Sequence, residues 1–226
     1  ASVFWNLTGS VSGTIYTMTA TDANGCTIST TVTMTEPSAI NLSSGTVNAL
    51  CNGANGSLTF SASGGTGAIG FTVNGTPQVS PYAAAAGTYT IVATDANNCS
   101  VSTLQTIGQP SVLSMVSAQK TQYNGADLSC ATSTDGQITV TVSGGTGPME
   151  YSKDNGVNFQ PANIFSNLAA GTYSIVVKDV NNCSTSTTLS FIAPPALQIT
   201  GIVHPAFCNG GNGQLQFSAT GGTGAI

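Results

Sequence analysis

Apolar residues alternate with Thr and Ser in three related segments, and this alternation predicts β-strands. Residues 87–99 read GTYTIVATDANNC, residues 171–183 read GTYSIVVKDVNNC, and residues 13–26 read GTIYTMTATDANGC with one inserted residue. A period of two places the apolar side chains on one face of a half-buried strand. The Asp-x-Asn-Asn or Asp-x-Asn-Gly that follows predicts a turn, because Asn and Gly tolerate positive φ angles. Each segment therefore predicts a strand, a turn and a cysteine where the next strand begins.

A second motif recurs between these segments and indicates that the chain is built from repeats. Residues 51–67 read CNGANGSLTFSASGGTG and residues 208–224 read CNGGNGQLQFSATGGTG, while Cys130 precedes DGQITVTVSGGTG at 135–147. The cysteines of the first motif are 73 and 84 residues apart, and those of the second are 79 and 78 residues apart. A self-similarity with one shared period is typical of tandem repeats.

Proline residues mark where the pattern restarts and define four segments. Residues 1–37 are the C-terminal part of a truncated repeat, 38–110 and 111–195 are complete repeats, and 196–226 are the N-terminal part of another truncated repeat. Because the chain starts and stops in mid-pattern, we expect it to be part of a longer protein. The stretch 163–168 is less regular than the rest.

The pattern of short strands predicts the fold class. Each complete repeat contains six or seven apolar-alternating stretches separated by Gly- and Pro-rich turns, and no stretch shows the 3.6-residue period of a helix. The predicted fold is all-β, with tandem immunoglobulin-like antiparallel β-sandwich repeats arranged end to end as an extended filament. Tyr16, Tyr89 and Tyr173 recur at one register position, and the Gly-Thr-Tyr sequence around two of them resembles a tyrosine corner.

The six cysteines lie next to strand ends and favour disulfides in an oxidising, extracellular setting over free buried thiols. We call those before the second strand of a repeat the early cysteines (Cys51, Cys130, Cys208). Those after the Asn turn are the late cysteines (Cys26, Cys99, Cys183).

In alternating strands, the early and late cysteines of one repeat lie at opposite ends, about 25–30 Å apart. The Cα atoms of a disulfide are at most about 7 Å apart. This argument favours a bridge between successive repeats, Cys51 with Cys183. The alternative is pairing within repeats, Cys51 with Cys99 and Cys130 with Cys183, which requires an even number of strand crossings between them. Under the preferred pairing, the partners of Cys26, Cys99, Cys130 and Cys208 lie outside this sequence.

Charged side chains are scarce, and their scarcity excludes several functions. Three lysines and no arginine cannot neutralise the phosphates of a nucleic acid or form a polybasic membrane patch. No apolar run approaches the roughly 18 residues of a membrane span, so we expect no membrane insertion in this segment.

No residue pattern predicts catalysis or a cofactor. The sole histidine, His204, lies in a truncated repeat without a counterpart elsewhere, so we interpret it as a loop residue and predict no Ser-His-Asp triad. Asp22, Asp95 and Asp179 each supply one carboxylate, whereas calcium takes six to eight oxygen ligands, so we predict turn capping and no metal site. We expect the segment not to be an enzyme, with no catalytic, cofactor-binding or metal-binding residues.

Five aromatic residues do not recur in register and are the candidates for exposed, sugar-stacking side chains: Trp5, Tyr82, Tyr123, Phe159 and Phe165. Packing in a core or at a strand edge is the default for each of them.

The combined markers C-N-G-x-x-N-G with S-G-G-T-G, and A-A-G-T-Y with D-A-N-G/N-C and T-E-P, resemble the SprB-type repeat of the Bacteroidetes. The resemblance covers the whole chain. Departures are local, since residues 130–136 read CATSTDG, and Gln109 and Ala193 replace the Glu before proline. The resemblance implies a long cell-surface adhesin, associated with the outer membrane and exported by the type IX secretion system, that is moved by the gliding machinery.

The function that we expect is a structural repeat segment of such an adhesin filament, mediating surface adhesion and gliding motility. Its partners would be neighbouring repeats of the same chain, the gliding and type IX secretion machinery, and external surfaces or glycans. The alternatives are a glycan-binding adhesive module and a passive spacer of a large secreted hydrolase.

Overall fold

A computed structural model describes residues 13–224 of this protein, and these residues form β-strands without a helix. All pairings between the strands are antiparallel, apart from a single isolated bridge. The all-β, immunoglobulin-like class predicted from the sequence is therefore confirmed. Within residues 13–224, nothing has the helical length and apolar character needed to cross a membrane.

The segment that the sequence predicts as the first complete repeat contains seven strands in two sheets. The three-stranded sheet has the order β3-β4-β7, and the four-stranded sheet has the order β6-β5-β8-β9. The strands are β3 (Asn41–Val47), β4 (Gly56–Ser63), β5 (Gly70–Val73), β6 (Thr76–Pro77), β7 (Tyr82–Ala84), β8 (Gly87–Thr94) and β9 (Ser100–Ile107). Leu58 and Phe60 of the first sheet pack with Ile91 and Ile107 of the second, so the alternating residues face each other across a sandwich.

The second predicted repeat contains six strands in two three-stranded sheets, with the orders β10-β11-β13 and β12-β14-β15. The strands are β10 (Ser114–Lys120), β11 (Gly136–Ser143), β12 (Glu150–Ser152), β13 (Ile164–Leu168), β14 (Gly171–Lys178) and β15 (Ser184–Phe191). Its core joins Ile138 and Val140 of one sheet to Ile175, Val177 and Phe191 of the other. The same register positions therefore build both cores.

The stretch that the sequence describes as less regular forms a strand. Residues 164–168 pair with β11, and Phe165 and Leu168 are buried in the core. The pairing register shifts between Gly136 and Ile138, and Asn167 adopts a φ of 58°. This irregularity breaks the period of two that identifies the other strands in the sequence.

Two hairpins flank the sandwiches. The first consists of β1 (Ile15–Thr21) and β2 (Thr27–Thr33), and the second of β16 (Gln198–His204) and β17 (Gln214–Thr220). They correspond in sequence to β8–β9 and β3–β4 of a complete repeat. Apolar side chains on both hairpins, including Met18, Ile28, Leu215 and Phe217, are exposed.

The described contacts divide the chain into two compact units. Within residues 13–224, one unit comprises the part up to Val47 together with Gly56–Ile107, and the other comprises Asn48–Asn55 together with the part from Gly108 onward. The loop Asn48–Asn55 joins the second unit because the Ala49 N–H donates to the Gly108 carbonyl at 3.0 Å, and other bonds of the loop reach beyond Gly108. The repeat boundaries at 37/38, 110/111 and 195/196 stay predictions.

Two of the recurring tyrosines bond to the backbone just before the strands that contain them. The Tyr89 hydroxyl donates to the Ala85 carbonyl at 2.9 Å, and the Tyr173 hydroxyl donates to the Ala169 carbonyl at 3.1 Å. Both bonds span four residues, and this is the geometry of a tyrosine corner. The residue four positions before Tyr16 lies outside the described residues.

Removing one of these hydroxyls is expected to destabilise its sandwich modestly. Tyr173→Phe keeps the edge-to-face contact with Phe191 (centroids 5.9 Å apart) but loses the bond to Ala169. A hydrogen bond of this kind contributes about 1 kcal/mol to the free energy of unfolding. Denaturant titration measures the difference, and Tyr151→Phe in the same core serves as the control. A loss no larger than that of the control would mean that the corner is not stabilising.

Candidate functional site

The late cysteines sit on a turn that one aspartate organises. Oδ1 of Asp179 accepts hydrogen bonds from the N–H groups of Asn181 and Cys183, each at 2.9 Å. Asn182 adopts a φ of 63°, in the left-handed region that Asn tolerates better than most residues. The Asp179 N–H donates to the Cys183 carbonyl at 3.0 Å, which closes the turn. The Asp-x-Asn-Asn sequence thus fixes the position of the cysteine.

The same turn occurs in the other two copies. Oδ1 of Asp95 accepts from Asn97 and Cys99, and Oδ1 of Asp22 accepts from Asn24 and Cys26, at distances of 2.8–2.9 Å. The left-handed position is Asn98 in one copy and Gly25 in the other. The aspartates that the sequence offered as weak calcium candidates therefore bond their own backbone. Among residues 13–224, no three acidic, cysteine or histidine side chains converge as a metal site would require.

In both sandwiches the aspartate also binds the Gly-Gly-Thr-Gly turn. Oδ2 of Asp95 accepts from the Thr66 N–H, and Oδ2 of Asp179 accepts from the Thr146 N–H, both at 2.9 Å. The Thr66 N–H is the main cause that holds the pKa of Asp95 below its usual value, against a smaller opposing effect of burial. One buried carboxylate therefore ties a late turn to the turn after the second strand of the same repeat.

Two glycines allow the Gly-Gly-Thr-Gly turn to lie this close to the aspartate. A Cβ at Gly64 would collide with the Ala39 carbonyl, and a Cβ at Gly65 would lie 3.1 Å from Oδ2 of Asp95. Both glycines have positive φ angles (80° and 66°). The Gly-Gly pair of the repeated motif is thus required by backbone conformation and by the space that the aspartate occupies.

Cys51 lies in a loop held by the end of its own predicted repeat. The Asn52 side chain donates to the Pro110 carbonyl at 3.0 Å, and the Gly53 N–H donates to Oε1 of Gln109 at 2.8 Å. The Ala54 N–H donates to the Cys51 carbonyl at 3.1 Å, which forms a tight turn directly after the cysteine. Gln109 stands where the recurring motif has Glu before proline, and its side-chain oxygen can still accept this hydrogen bond.

A disulfide joins Cys51 to Cys183, with their Cα atoms 5.6 Å apart. The Asn181 side chain donates to the Leu50 carbonyl at 3.2 Å beside it. This is the pairing between successive predicted repeats that the strand argument favours. The within-repeat alternative is not formed, because Cys99 and Cys130 are free.

The other four cysteines, Cys26, Cys99, Cys130 and Cys208, are free and exposed. Cys26 and Cys99 occupy the same Asp-organised turn as Cys183, and the early loops share the turn after the cysteine, since Ser133 and Gly211 donate to the carbonyls of Cys130 and Cys208. That their partners lie outside this sequence stays a prediction.

Four of the five candidate sugar-stacking aromatics lie among the described residues, and each of them contacts other residues of the protein. Phe165 is buried in the core, Tyr82 packs against the other core, and the Tyr123 hydroxyl donates to the Asp135 carbonyl. The Lys178 ammonium lies 4.2 Å from the centroid of Phe159. Trp5 lies outside the described residues. His204 is the last residue of β16, paired with Gln214, so the interpretation as a loop residue is wrong.

Sequence reasoning missed an ion pair in the second sandwich. The Lys120 ammonium donates to Oδ1 of Asp127 at 2.8 Å and to the Ser190 carbonyl at 2.7 Å, while Oδ2 of Asp127 accepts from the Ile192 N–H. Burial works to raise the pKa of Asp127, but the bonds from Lys120 and Ile192 outweigh it and hold the pKa below its usual value. The one sequence feature that could have indicated this ion pair is that Lys120 has no counterpart in the other repeats.

A second missed feature is the loop after β12, where Asp154 is the central acceptor. It accepts from the Asn158 N–H at 2.9 Å, from the Ser152 hydroxyl at 2.7 Å and from the Asn158 side chain at 2.6 Å. These bonds, led by that of the Asn158 N–H, lower the pKa of Asp154 to about 2.

The lowered pKa predicts a pH dependence of stability. Because the folded pKa of about 2 is below the unfolded value, the contribution of Asp154 is complete above about pH 4 and is lost as the pH falls through 2. Asp154→Asn is therefore expected to lower the melting temperature at pH 7 and to differ little from the wild type at pH 2. Thermal unfolding at pH 7, 4, 3 and 2 measures this, with the exposed Val157→Thr as the control. A difference that stays constant with pH would contradict the assignment.

Three comparisons with known proteins bear on the family and the fold. The family model of the SprB repeat matches residues 123–158. No curated protein sequence matches the chain. Among solved structures, a C-terminal 282-residue fragment of intimin, in complex with the intimin-binding domain of the translocated intimin receptor, is similar at 15% identity. The alignment covers 72% of this chain and 67% of that fragment, and a TM-score of 0.40 makes it a loose resemblance from which nothing about binding follows.

The family match falls in the second sandwich. It begins at Tyr123, includes Cys130 and the Gly-Gly-Thr-Gly turn, and ends in the loop that Asp154 organises. The coarse functional class that follows is a repeat of cell-surface adhesins. Residues 123–158 therefore carry an SprB repeat, the family that the recurring motifs of this chain resemble.

Proposed function

We propose that this chain is a structural segment of a long extracellular adhesin filament that mediates surface adhesion and gliding motility. The observation that carries the proposal is the Cys51–Cys183 disulfide, which connects successive predicted repeats in a chain that carries an SprB repeat. Its partners are neighbouring repeats, the gliding and type IX secretion machinery at the outer membrane, and external surfaces or glycans. No enzymatic activity or cofactor is part of the proposal.

The disulfide gives the segment a defined response to tension. When the two chain ends are pulled, force passes from Cys51 through the bridge to Cys183, and residues 52–182 are enclosed in a covalent loop. The sequence separation is 132 residues, and an extended chain spans at most about 3.3–3.6 Å per residue. The bridge therefore withholds roughly 430–480 Å of contour length from extension. A filament that transmits force between a cell and a surface benefits from this limit.

Single-molecule force spectroscopy tests the mechanical part. The 226-residue chain, tethered at both ends, is expected to reach a fully stretched contour length roughly 430–480 Å shorter when oxidised than when reduced. Reduction with a phosphine should recover the difference. A Cys99→Ser, Cys130→Ser variant, which lacks two free cysteines, should behave like the wild type. Equal contour lengths before and after reduction would contradict a bridge in the line of force.

Antibodies raised against this chain test the cellular part. On intact producing cells they should decorate the surface, and monovalent Fab fragments should reduce attachment to glass and gliding speed. Fab fragments against an unrelated surface protein provide the control for steric effects. Labelling that requires lysis of the cells would refute the surface location, and surface labelling without an effect on attachment or gliding would favour a passive spacer.

A further inference from the structure

Charged side chains are concentrated in the second sandwich. The segment 111–195 carries all three lysines of the chain and five of its eight acidic residues, whereas the segment 38–110 carries only Asp95. Asp95 bonds backbone N–H groups of its own repeat. The two sandwiches build their cores from the same register positions. Charges that only the second sandwich carries are therefore not needed for the common fold.

One pair of these charges borders an open cleft. The cleft encloses about 200 Å³ and is lined by Pro148, Glu150, Lys178, Asp179, Val180 and Asn182. Glu150 of β12 and Lys178 of β14 are direct cross-strand partners, and the ammonium lies 3.0 Å from Oε2 of Glu150. The ammonium also lies 4.2 Å from the ring centroid of Phe159. Paired strands and an aromatic ring thus hold both charges in place.

The late turn of the same sandwich supplies a second part of the cleft wall. The Val180 N–H donates to the Thr146 carbonyl at 3.2 Å, and the Asn182 N–H donates to the Asp179 carbonyl at 3.0 Å. Both carboxylate oxygens of Asp179 accept from backbone N–H groups, so this side chain is already bonded. Val180 is 56% exposed, and Asn182 is exposed. The turn therefore presents one apolar side chain and one amide on a fixed backbone.

Polar atoms of the cleft keep hydrogen-bonding capacity that the protein does not use. Oε2 of Glu150 faces Lys178, and among residues 13–224 no group bonds its Oε1 or the side-chain amide of Asn182. An ammonium has three N–H donors, and that of Lys178 directs one at Glu150. The side chains of Glu150 and Lys178 are 51% and 28% exposed, so a ligand in the cleft can reach them. The cleft thus offers donors and acceptors together.

The cleft does not depend on where the sequence begins or ends. Its lining lies within the complete second sandwich, and the loop of the preceding repeat is bound beside it. The Asn181 side chain donates to the Leu50 carbonyl at 3.2 Å, and Cys183 is bonded to Cys51. The cleft is therefore open although this neighbouring loop is in place.

The side chains of the cleft select a class of ligand. A phosphate or carboxylate group would meet the like charges of Glu150 and Asp179, and a cationic group would meet Lys178. A hydroxyl group both donates and accepts, so it can bond an ammonium and a carboxylate together. Pro148 and Val180 add apolar surface against which the C–H groups of a sugar ring can pack. A neutral ring with several hydroxyls fits these groups best.

We infer that this cleft binds one ring of a neutral saccharide. One hydroxyl of the ring lies between the Lys178 ammonium and Oε1 of Glu150, and another bonds the Asn182 amide. The inference deepens the proposed function and rests on it for its biological role, because it names the class of external glycan that the filament contacts. Since a single ring offers few atoms for contact, we expect a Kd in the millimolar range.

The first sandwich provides a comparison within the same chain. Its late turn has the same aspartate and asparagines as the late turn of the second sandwich. The counterparts of Pro148, Glu150 and Lys178 are Ala68, Gly70 and Thr94. The first sandwich therefore has the turn without the charged pair, and we expect it not to bind the saccharide.

NMR titration of the purified 226-residue chain tests the inference, with the methyl glycosides of glucose, galactose and mannose as probes. At least one glycoside should shift the amide signals of Glu150, Lys178 and Asn182 and reach saturation. The amides of Thr94 and Asn98 in the first sandwich should not shift. Glycerol, which has hydroxyls but no ring, should give no saturable shift. Equal shifts in both turns, equal shifts with glycerol, or no saturable shift with any glycoside would overturn the inference.

Substitutions taken from the other copies test the residues at little risk to the fold. Lys178→Thr introduces the residue found at position 94, and Asn182→Gly introduces the residue found at position 25. Lys178→Thr should weaken binding about tenfold or more, because a bond to a charged group is lost, and Asn182→Gly about fivefold. The control Lys153→Thr removes the same charge at an exposed position outside the cleft and should bind like the wild type. Unchanged binding by Lys178→Thr, or an equal loss in the control, would contradict the site.

Failure of this inference and failure of the proposed function give different results. If the purified chain binds none of the glycosides while Fab fragments still reduce attachment of cells, the saccharide site is overturned and the filament role stands. If the chain binds a glycoside but intact cells are not labelled by the antibodies, the site stands and the filament role is refuted.

Discussion

Replacing Cys51 and Cys183 together by serine is expected to lower the free energy of unfolding by up to about 5 kcal/mol. The bridge closes a loop with a sequence separation of 132 residues, and in the chain-entropy model a loop of this length restricts the unfolded chain by about that amount. The full effect applies to a transition in which both cores unfold, because both lie largely within the loop. A smaller loss is expected if one core melts while the other persists.

Guanidinium titration of the oxidised chain and of the double variant measures this difference. The matched control is Cys99→Ser with Cys130→Ser, which also removes two cysteines but breaks no bond, since both are free and exposed. Its effect should stay within about 0.5 kcal/mol, as is usual at exposed positions. Reduction of the wild-type chain should reproduce the loss without any substitution. If reduction leaves the unfolding midpoint unchanged, the bridge does not stabilise the fold.

The sandwiches and their cores follow closely from the sequence, because a period of two specifies which face of a strand is buried. Ile91 and Ile175, taken from the alternation alone, are completely buried in the two cores. The sequence also limited the possible cysteine pairs, for a related reason. If the strands alternate in direction, the early and late cysteines of one repeat lie at opposite ends, which favours a partner from a neighbouring repeat. The number of strand crossings was not fixed by the sequence, so pairing within a repeat stayed open until the Cys51–Cys183 bridge was seen.

Features without a periodic signal could not be predicted in the same way. Phe165 belongs to a strand whose register is broken next to Gly136, so its burial depends on a pairing with β11 and not on a local pattern. The ion pair of Lys120 and Asp127 occurs in one repeat and is fixed by contacts with Ser190 and Ile192, about 65–70 residues along the chain. Such contacts are set by tertiary structure.

The carboxylate that links the two turns of a repeat has one role that the sequence predicts and one that it does not. The sequence predicts that Asp179 caps its own turn, and its Oδ1 does so. The role of Oδ2 depends on Thr146, 33 residues away, and on the glycines that let the two turns approach. The local role is readable from a motif, whereas the long-range role requires the fold. The two oxygens can be separated by experiment.

Asp179→Asn is expected to cut the long-range bond and leave the local turn intact. The amide oxygen of asparagine can still accept from Asn181 and Cys183, but its NH₂ group would face the Thr146 N–H, donor against donor. Asp179 is 3% exposed, so the Thr146 N–H loses its partner away from water. A lost hydrogen bond to a charged group, with an unsatisfied buried donor, costs about 3 kcal/mol in the free energy of unfolding.

Asp22→Asn provides the matched control for this loss. Asp22 makes the same two local bonds through Oδ1 and is exposed, so the substitution should cost less than about 1 kcal/mol. Hydrogen exchange adds a site-specific measurement, since the Thr146 amide should lose protection in Asp179→Asn while the Cys183 amide keeps it. If both amides lose protection together, the two turns form one cooperative element, and Oδ1 and Oδ2 do not have separate roles.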